Sequence, residues 1–198
     1  TLLSWIQVQV DEQPETRAAY ILTGSHQLQL QEMISQSLAG RTALLTLFPL
    51  SLAELDGASV QVERENLIFK GFLPRGYSNT IRPTRLYRDY FQTYVERDVR
   101  KMLAIENQQA FELFLKLLAG RVGQEINYSS LASQVGISAT QIKKWLSILE
   151  ASFIIFKLPP FFNNYGKRLT KSPKIYFVEV GLACYLLGIE DPTQLERD

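Results

Sequence analysis

The sequence is poor in the residues that build disulfides and metal centres. One cysteine, Cys184, and one histidine, His26, occur in 198 residues. A single cysteine excludes an intrachain disulfide and is typical of a reducing compartment, so we expect a cytoplasmic protein. These two residues cannot build a His/Cys metal site, and a Ser-His-Asp triad would depend on His26 alone. We therefore predict no metal site, and we expect Cys184, in an apolar helical stretch, to be a core residue.

Long hydrophobic runs are also missing. The sequence contains no run of 18 apolar residues, no secretory leader pattern and no low-complexity tract, so it predicts a soluble chain with no membrane partner. Its hydrophobic content of 46% over 198 residues is enough for one large domain or two small ones. The chain begins at Thr1 without a methionine and ends on a charged tail. We therefore expect a fragment of a longer protein.

Acidic residues are almost absent from one third of the chain. Between Ile126 and Val178 only Glu150 is acidic, whereas seven residues are basic: Lys143, Lys144, Lys157, Lys167, Arg168, Lys171 and Lys174. This third carries a net charge of +6 and the remainder −5, against +1 for the whole chain. Such asymmetry is typical of a protein with an anionic partner.

Residues 127–152, within this basic third, predict a helix-turn-helix. Gly136 supplies the positive φ of the turn, and Ser138 is a favourable N-cap for the second helix. Apolar residues recur on one face of each helix, at Leu131, Val135, Ile137, Ile142 and Trp145. The opposite face of the second helix carries polar residues where a DNA-reading helix makes base and phosphate contacts: Thr140, Gln141, Lys143 and Lys144.

A strand, a wing and a return strand are predicted to follow, over residues 153–158, 161–171 and 175–180. Basic residues in and beside the wing are placed to contact phosphates: Lys167, Arg168, Lys171 and Lys174. Winged helices also serve as lids, dimer contacts and protein-docking platforms. A protein partner therefore remains an alternative to DNA.

The first half of the chain predicts part of an α/β sheet. Residues 1–12 read as an amphipathic helix, and the apolar runs 18–23 and 43–48 read as strands buried on both faces of a parallel sheet. A helix over 31–39 separates the two runs, and a short helix over 51–55 follows the second. Thr23, Gly24 and Ser25 end the first run. Polar residues at the carboxyl ends of such strands line the ligand crevice.

Several segments together carry a resemblance to a known family. They include ILTGS at 21–25, SLAGRTALLTLFPLSLAEL at 37–55, YFQTYVERDVR at 90–100 and the long segment 118–189 that begins LAGRVGQEINYSS. The chain resembles prokaryotic AAA-type ATP-binding proteins, in which an ATPase domain is joined to a winged helix and then to a domain of unknown function similar to restriction-type nucleases. The resemblance implies ATP and Mg²⁺ as cofactors of the full-length protein, and assembly into a homo-oligomer.

The resemblance also implies site residues. Ser25 matches the first sensor of the family, and Arg41 is placed to act as an arginine finger, so both are candidate catalytic residues. Thr23 and Gly24 would join them in binding nucleotide. The alternatives are a plain strand-to-helix turn for residues 23–25 and a surface salt bridge for Arg41. The family motif Asp-Thr-Gly-Leu reads Glu179-Val180-Gly181-Leu182 here, so a role for Glu179 is in doubt.

The resulting prediction is an α/β plus α+β chain. Residues 1–80 are expected to form the C-terminal half of a P-loop AAA-type α/β domain, 81–107 a helical linker with a long helix over 85–106, and 108–189 a winged helix-turn-helix domain. Residues 190–198 would lead to a further domain. The phosphate-binding loop would lie upstream of Thr1, so this chain alone is expected to be inactive. A DNA-binding regulator module without ATPase activity and a protein-interaction adaptor are the alternative functions.

Overall fold

A computed structural model describes residues 2–13, 15–24, 34, 38–60, 63–78, 80–99, 107–161, 163 and 171–196, with the backbone alone for 96–98. The chain divides into two compact units, Thr1–Leu47 and Phe48–Asp198, here called unit 1 and unit 2. None of the helices described is long and apolar enough to cross a membrane.

Unit 1 is built on the first helix, α1, Leu2–Glu12. Its turns bury Leu3 and Ile6, which form a small core with Ile34 and Leu38. The spacing of three residues between Leu3 and Ile6 places both side chains on one helix face, as an amphipathic helix requires. The helix predicted over residues 1–12 is confirmed.

The two buried strands predicted for the first half are wrong for the residues that the structure describes. Residues 18–23 and 43–48 form no strand, and their apolar side chains include Ile21, 87% exposed, and Leu47, 97% exposed. A parallel strand is held by hydrogen bonds to neighbouring strands, and the described residues provide no such neighbour. An apolar run indicates that its side chains need to be buried. It does not indicate that a neighbouring strand is present to bury them. Most of the helix predicted over 31–39 lies outside the described residues.

Unit 2 opens with three short helices. Helix α2, Leu52–Gly57, begins at a capping box: the Ser51 hydroxyl accepts the Glu54 N–H and the Glu54 carboxylate accepts the Ser51 N–H. This confirms the short helix predicted there and shows why it begins at Ser51. Helix α3, Arg64–Lys70, and helix α4, Arg75–Ser78, follow.

A long helical segment follows, and its hydrogen-bonding pattern changes partway. Helix α5, Pro83–Tyr90, has proline in its first turn, where the missing N–H costs nothing. A π-helix, Phe91–Val99, continues it. The buried residues Tyr87, Phe91, Val95 and Val99 recur every fourth position and form a continuous apolar stripe. The predicted helix over 85–106 is therefore present in part, and residues 100–106 lie outside the described residues.

Three helices form the centre of unit 2: α6, Gln108–Ala119, α7, Tyr128–Val135, and α8, Ala139–Ala151. Their core surrounds Trp145, whose ring lies edge-on to Phe111 and Phe114 at centroid distances of 5.4 and 5.3 Å. Aromatic pairs in this geometry contribute roughly 0.5–1.5 kcal/mol each beyond the burial of their area. The aromatic residues of α6 thereby hold α8 in place.

A two-stranded antiparallel sheet follows α8. Strand β1, Ile155–Leu158, pairs with β2, Lys174–Phe177, in the register Ile155 opposite Phe177 and Leu158 opposite Lys174. A single bridge joins Glu125 to Lys174 on the other side of β2. Helix α9, Val180–Leu186, and a 3₁₀ helix, Pro192–Glu196, complete the chain. Both strands are shorter than predicted, and the second ends early because Glu179 begins a helix.

Candidate functional site

Three capping residues fix both ends of α7 and the start of α8. The Asn127 side chain accepts the N–H of Ser130 at 2.9 Å, and the Ser138 hydroxyl accepts the N–H of Gln141 at 3.1 Å. Gly136 ends α7 with φ 79°, a left-handed conformation that only glycine adopts without strain. These local interactions set the angle at which α8 leaves the turn. The predicted roles of Gly136 and Ser138 are confirmed.

One face of α8 is polar and open to solvent. The side chains of Ile142, Trp145, Leu146 and Leu149 are buried, whereas the four residues predicted to face solvent are all exposed: Thr140, Gln141, Lys143 and Lys144. Lys143 Nζ lies 5.3 Å from the centre of the Tyr128 ring, so a cation–π contact holds this ammonium against α7. The face presents two cations and two hydrogen-bonding side chains beside the turn.

The other basic residues of this third of the chain have different surroundings. Lys171 and Lys174 are exposed. Lys157, by contrast, donates to Glu150 Oε2 at 2.7 Å with its side chain only 20% exposed, so its charge is already neutralised. Lys167 and Arg168 lie outside the described residues, as does most of the predicted wing. Among the described basic residues of this third, the exposed ones are therefore Lys143 and Lys144 on α8, Lys171, and Lys174 at the start of β2.

The candidate nucleotide residues of unit 1 lie in irregular backbone. Thr23 and Gly24 are exposed and belong to no helix or strand, and Ser25 lies outside the described residues. Arg41 forms two hydrogen bonds with the Asp11 carboxylate, at 2.5 Å from Nε and 3.2 Å from an Nη atom. Both side chains are more than a third exposed, and such surface pairs contribute roughly 0–1 kcal/mol.

These residues do not by themselves fit a nucleotide. A phosphate-binding site needs a glycine-rich loop of backbone N–H groups with a lysine and a metal-coordinating hydroxyl, and no such sequence occurs in the 198 residues. The one arginine proposed for the site is paired with Asp11 in the structure. No group of three or more His, Cys, Asp or Glu side chains within the described ranges could hold a metal ion.

A buried carboxylate that sequence reasoning left in doubt links three helices. Glu179 caps α9 by accepting the Gly181 N–H at 3.2 Å, and the same oxygen, Oε1, accepts the Phe72 N–H at 2.9 Å. The Tyr87 hydroxyl on α5 donates to this oxygen at 2.8 Å. Residue 179 is only 3% exposed. Its side chain thus joins the N-terminus of α9 to α5 and to the backbone that follows α3.

Two glycines make room for this contact, which we call the Glu179–Tyr87 junction. A Cβ atom on Gly71 would lie 1.9 Å from the Tyr87 hydroxyl oxygen and 2.1 Å from Glu179 Oε1. A Cβ atom on Gly181 would lie 2.2 Å from Cε2 of the Tyr87 ring. The Tyr77 hydroxyl donates to the Gly71 carbonyl at 2.7 Å and fixes that backbone from the other side. The junction therefore requires glycine at both positions.

Burial dominates the electrostatics of the junction. Removal from water raises the pKa of Glu179, although hydrogen bonds from Phe72, Tyr87 and Gly181 partly oppose the shift. Burial also raises the pKa of Tyr87, and the neighbouring Glu179 charge raises it further. Glu179 Oε2 is buried and has no partner among the described residues. Three hydrogen bonds to one oxygen and none to the other indicate a structural carboxylate that fixes backbone segments.

Comparison with known proteins places the chain in a family. Residues 1–56 match a family model described as AAA domain, and residues 62–193 match one described as Domain of unknown function (DUF8612). The second match covers most of the chain, so the protein belongs to the DUF8612 family. Its helix-rich fold with a small two-stranded sheet is consistent with the predicted α/β plus α+β class, and the AAA match of its first part agrees with the resemblance noted in the sequence. These two family matches do not test the predicted winged helix or the predicted nuclease-like region.

Curated relatives are 22–30% identical to this chain. An uncharacterized protein of Mycobacterium tuberculosis is 30% identical over 195 residues, which cover 98% of this chain and 43% of the relative. An uncharacterized protein of Methanocaldococcus jannaschii is 26% identical over 201 residues, covering 83% and 42%, and one of Haemophilus influenzae is 22% identical over 182 residues, covering 85% and 46%. The chain thus spans less than half the length of these curated relatives. Comparison with solved structures gave no match.

Proposed function

We propose that this chain is part of an AAA-type ATP-binding protein in which nucleotide state is coupled to a basic winged helix that contacts duplex DNA. The order of the two parts carries the proposal: a match to an AAA domain over residues 1–56 precedes, in one chain, a helix-turn-helix with a solvent-facing basic helix. ATP and Mg²⁺ would bind a phosphate loop supplied by the longer protein. No step of that chemistry is assigned to the residues described here.

The element order of unit 2 supports the winged-helix part. Helices α6, α7 and α8 are followed by β1 and β2, and the segment around Glu125 lies against β2 through its bridge to Lys174. Three backbone segments therefore lie side by side: the segment around Glu125, which precedes the helix pair, and β2 and β1, which follow it. In helix-turn-helix proteins the second helix enters the major groove, and its first turns contact base edges. Thr140, Gln141, Lys143 and Lys144 occupy those turns of α8.

The kind of side chain on α8 indicates mainly electrostatic binding. Its exposed cations are lysines, which bind phosphate as point charges, and α8 contains no arginine that could contact guanine in the bidentate geometry. We therefore expect duplex affinity in the range of roughly 1–100 μM at physiological salt, as for non-specific contact. The logarithm of the affinity should fall linearly with the logarithm of the salt concentration.

The test is a fluorescence-anisotropy titration of a labelled duplex over a salt series. Replacing Lys143 and Lys144 by alanine should reduce the slope by about 2, because each phosphate neutralised contributes roughly one unit. The matched control replaces Arg64 and Lys116, two exposed cations of unit 2 outside α7 and α8, and leaves the slope unchanged. Equal slopes in wild type and the Lys143/Lys144 variant would exclude the DNA-contacting face. The protein-interaction adaptor would then be the better hypothesis.

A further inference from the structure

A second basic segment lies outside the basic third of the chain. Residues 66–88 contain no acidic residue, and their basic residues are Lys70, Arg75, Arg82, Arg85 and Arg88. The four arginines are all exposed. Lys70 differs from them, because its ammonium lies 4.2 Å from the centre of the Tyr77 ring and is held there by a cation–π contact. We call the four arginines the arginine patch.

Packing between α4 and α5 brings the arginine patch together. A Cβ atom on Gly76 would lie 3.3 Å from Leu86 Cδ2, so α4, which begins at Arg75, lies against α5. Arg85 and Arg88 share one carboxylate, because their Nε atoms lie 4.0 and 3.5 Å from oxygens of Asp89. Four arginines and one aspartate leave this surface with a net charge of +3.

The positions of these arginines weaken α5 rather than stabilise it. Arg82 is the N-cap residue, its side chain makes no capping hydrogen bond, and the first turn of the helix holds no acidic residue. Helices prefer Ser, Thr, Asp, Asn or Gly at the N-cap, and the positive end of the helix dipole repels cations placed there. Arg82, Arg85 and Arg88 also follow one another at a spacing of three residues, which places like charges side by side on the helix.

Little in the described part of the chain offsets this loss of stability. The side chains of Arg75 and Arg82 have no hydrogen bond and no ion pair within the described ranges. The contacts with Asp89 are long, and the side chains of Arg85 and Arg88 are 70% and 52% exposed, so these pairs contribute little to stability. Residues that oppose local helix stability without a compensating gain are expected at functional sites. A bound anion would supply the missing partner.

The charge of the patch fits a polyanion of high charge density. Arg82 and Arg88 are six residues apart, which corresponds to about 9 Å along the helix axis. Duplex DNA carries one negative charge per about 1.7 Å of its axis, so it presents about five charges over that length. An extended polypeptide offers at most one carboxylate per residue, or one per roughly 3.3 Å. Guanidinium groups also bind phosphate oxygens in a bidentate geometry.

We propose that the arginine patch binds the phosphate backbone of duplex DNA, as a second contact surface in addition to the exposed face of α8. The guanidinium groups bind phosphates, and the positive end of the α5 dipole adds to the attraction. Contacts to phosphate carry no sequence information, so the patch adds affinity and leaves sequence preference unchanged. It uses neither α8 nor a nucleotide, and it can therefore be tested separately from the function proposed above.

The test applies the labelled duplex and the salt series to a variant with Arg75→Gln and Arg82→Gln, which removes the two patch charges that have no ion pair. The slope of log affinity against log salt should fall by about 1.8, because each phosphate neutralised contributes roughly 0.9. The variant that replaces Arg64 and Lys116 removes the same charge and should keep the wild-type slope.

A second variant, Arg82→Ser, separates DNA binding from helix stability. Serine is a preferred N-cap residue, so the urea midpoint of unfolding should rise. The same substitution removes one phosphate contact, so the salt slope should fall by about 0.9. An arginine with a merely structural role would not move stability and DNA affinity in opposite directions.

The salt slopes decide between the two contact surfaces. A reduced slope in the Arg75/Arg82 variant alone would support the patch and exclude the α8 face. A reduced slope in the Lys143/Lys144 variant alone would overturn the patch and leave the function proposed above intact, and unchanged slopes in both would overturn both surfaces.

Three further results would overturn the patch. The first is an equal loss of slope in the Arg64/Lys116 variant, which would mean that only the total charge matters. The second is a lower urea midpoint for Arg82→Ser, because Arg82 would then stabilise α5. The third is displacement of the labelled duplex by poly-L-glutamate as effectively as by unlabelled duplex at equal charge concentration, which would assign the patch to an acidic protein.

Discussion

Replacing Gly71 by alanine should destabilise unit 2 by about 3–5 kcal/mol, a loss that few single substitutions reach. Gly71 ends α3 with φ 66° and ψ −162°, a region that is accessible almost exclusively to glycine and that costs other residues roughly 1–3 kcal/mol. The added Cβ would also lie 1.9 Å from the Tyr87 hydroxyl and 2.1 Å from Glu179 Oε1. Neither group can withdraw easily, since both are buried and hydrogen-bonded. Displacing the carboxylate weakens bonds worth roughly 1.5–3 kcal/mol each.

Gly188 offers the matched control for this substitution. It also has positive φ, 74°, but a Cβ there meets no heavy atom within 4 Å. Gly188→Ala should therefore lose only the conformational part, roughly 1–2 kcal/mol. Urea unfolding followed by circular dichroism gives both free energies, and we expect a difference of at least about 2 kcal/mol between the variants. Equal losses at the two positions would show that the Glu179–Tyr87 junction does not constrain the backbone at Gly71.

Two further predictions concern Glu179 and Ser138. Burial raises the pKa of Glu179 in the folded state above its ordinary value of 4.5, so protonation of this carboxyl favours folding. The contribution of the proton to the free energy of unfolding is complete below pH 4.5. It is lost as the pH rises through the pKa of the folded state. Glu179→Gln does not titrate, so its unfolding free energy relative to wild type should increase above pH 4.5, by at most about 1.4 kcal/mol per pH unit. Urea titrations between about pH 4 and 8 measure this, and a constant difference would contradict it. Ser138→Ala should cost about 1 kcal/mol by removing the N-cap of α8, whereas Ser129→Ala, at an exposed position within α7, should change stability by less than about 0.5 kcal/mol in the same assay.

The helix pair of unit 2 could be predicted because its determinants are local. The turn glycine, Gly136, the N-cap serine, Ser138, and the apolar spacing of α8 all lie within 26 consecutive positions, 127–152. Each acts on its neighbours in sequence, through backbone conformation, a capping hydrogen bond or one helix face. The exposure of Lys143 and Lys144 follows from the burial of Ile142 and Trp145, since these pairs lie on opposite sides of one helix.

The Glu179–Tyr87 junction could not be predicted in the same way. The hydrogen bond from Phe72 to Glu179 joins residues 107 positions apart, and that from Tyr87 joins residues 92 apart. No periodicity relates such distant positions. The local signal at Glu179 is weak, because helices prefer Ser, Thr, Asp, Asn or Gly at the N-cap and glutamate is not among them. The side chain of Glu179 is longer by one methylene than the aspartate of the family motif, and its carboxylate reaches the Phe72 N–H.

The strands predicted for the first half were wrong for a different physical reason. The apolar runs at 18–23 and 43–48 match a strand buried on both faces, but such a strand exists only through hydrogen bonds to its neighbours. An apolar composition indicates that a segment must be buried, but it does not show that a partner strand is present. The short sheet that is present, β1 with β2, was predicted because its strands lie close together in the chain on either side of a turn-rich stretch.

The environment of Cys184 has a practical consequence for labelling experiments. The thiol is buried on α9, and its Sγ lies 3.6 Å from the Ile68 carbonyl oxygen. Burial raises the pKa of Cys184 to about 11, so at pH 7 only about one molecule in ten thousand carries the reactive thiolate. Maleimide and iodoacetamide reagents should therefore spare it while the chain is folded. A cysteine introduced on the exposed face of α8 could then carry a spin label or a fluorophore in the otherwise native sequence, with no need to replace Cys184.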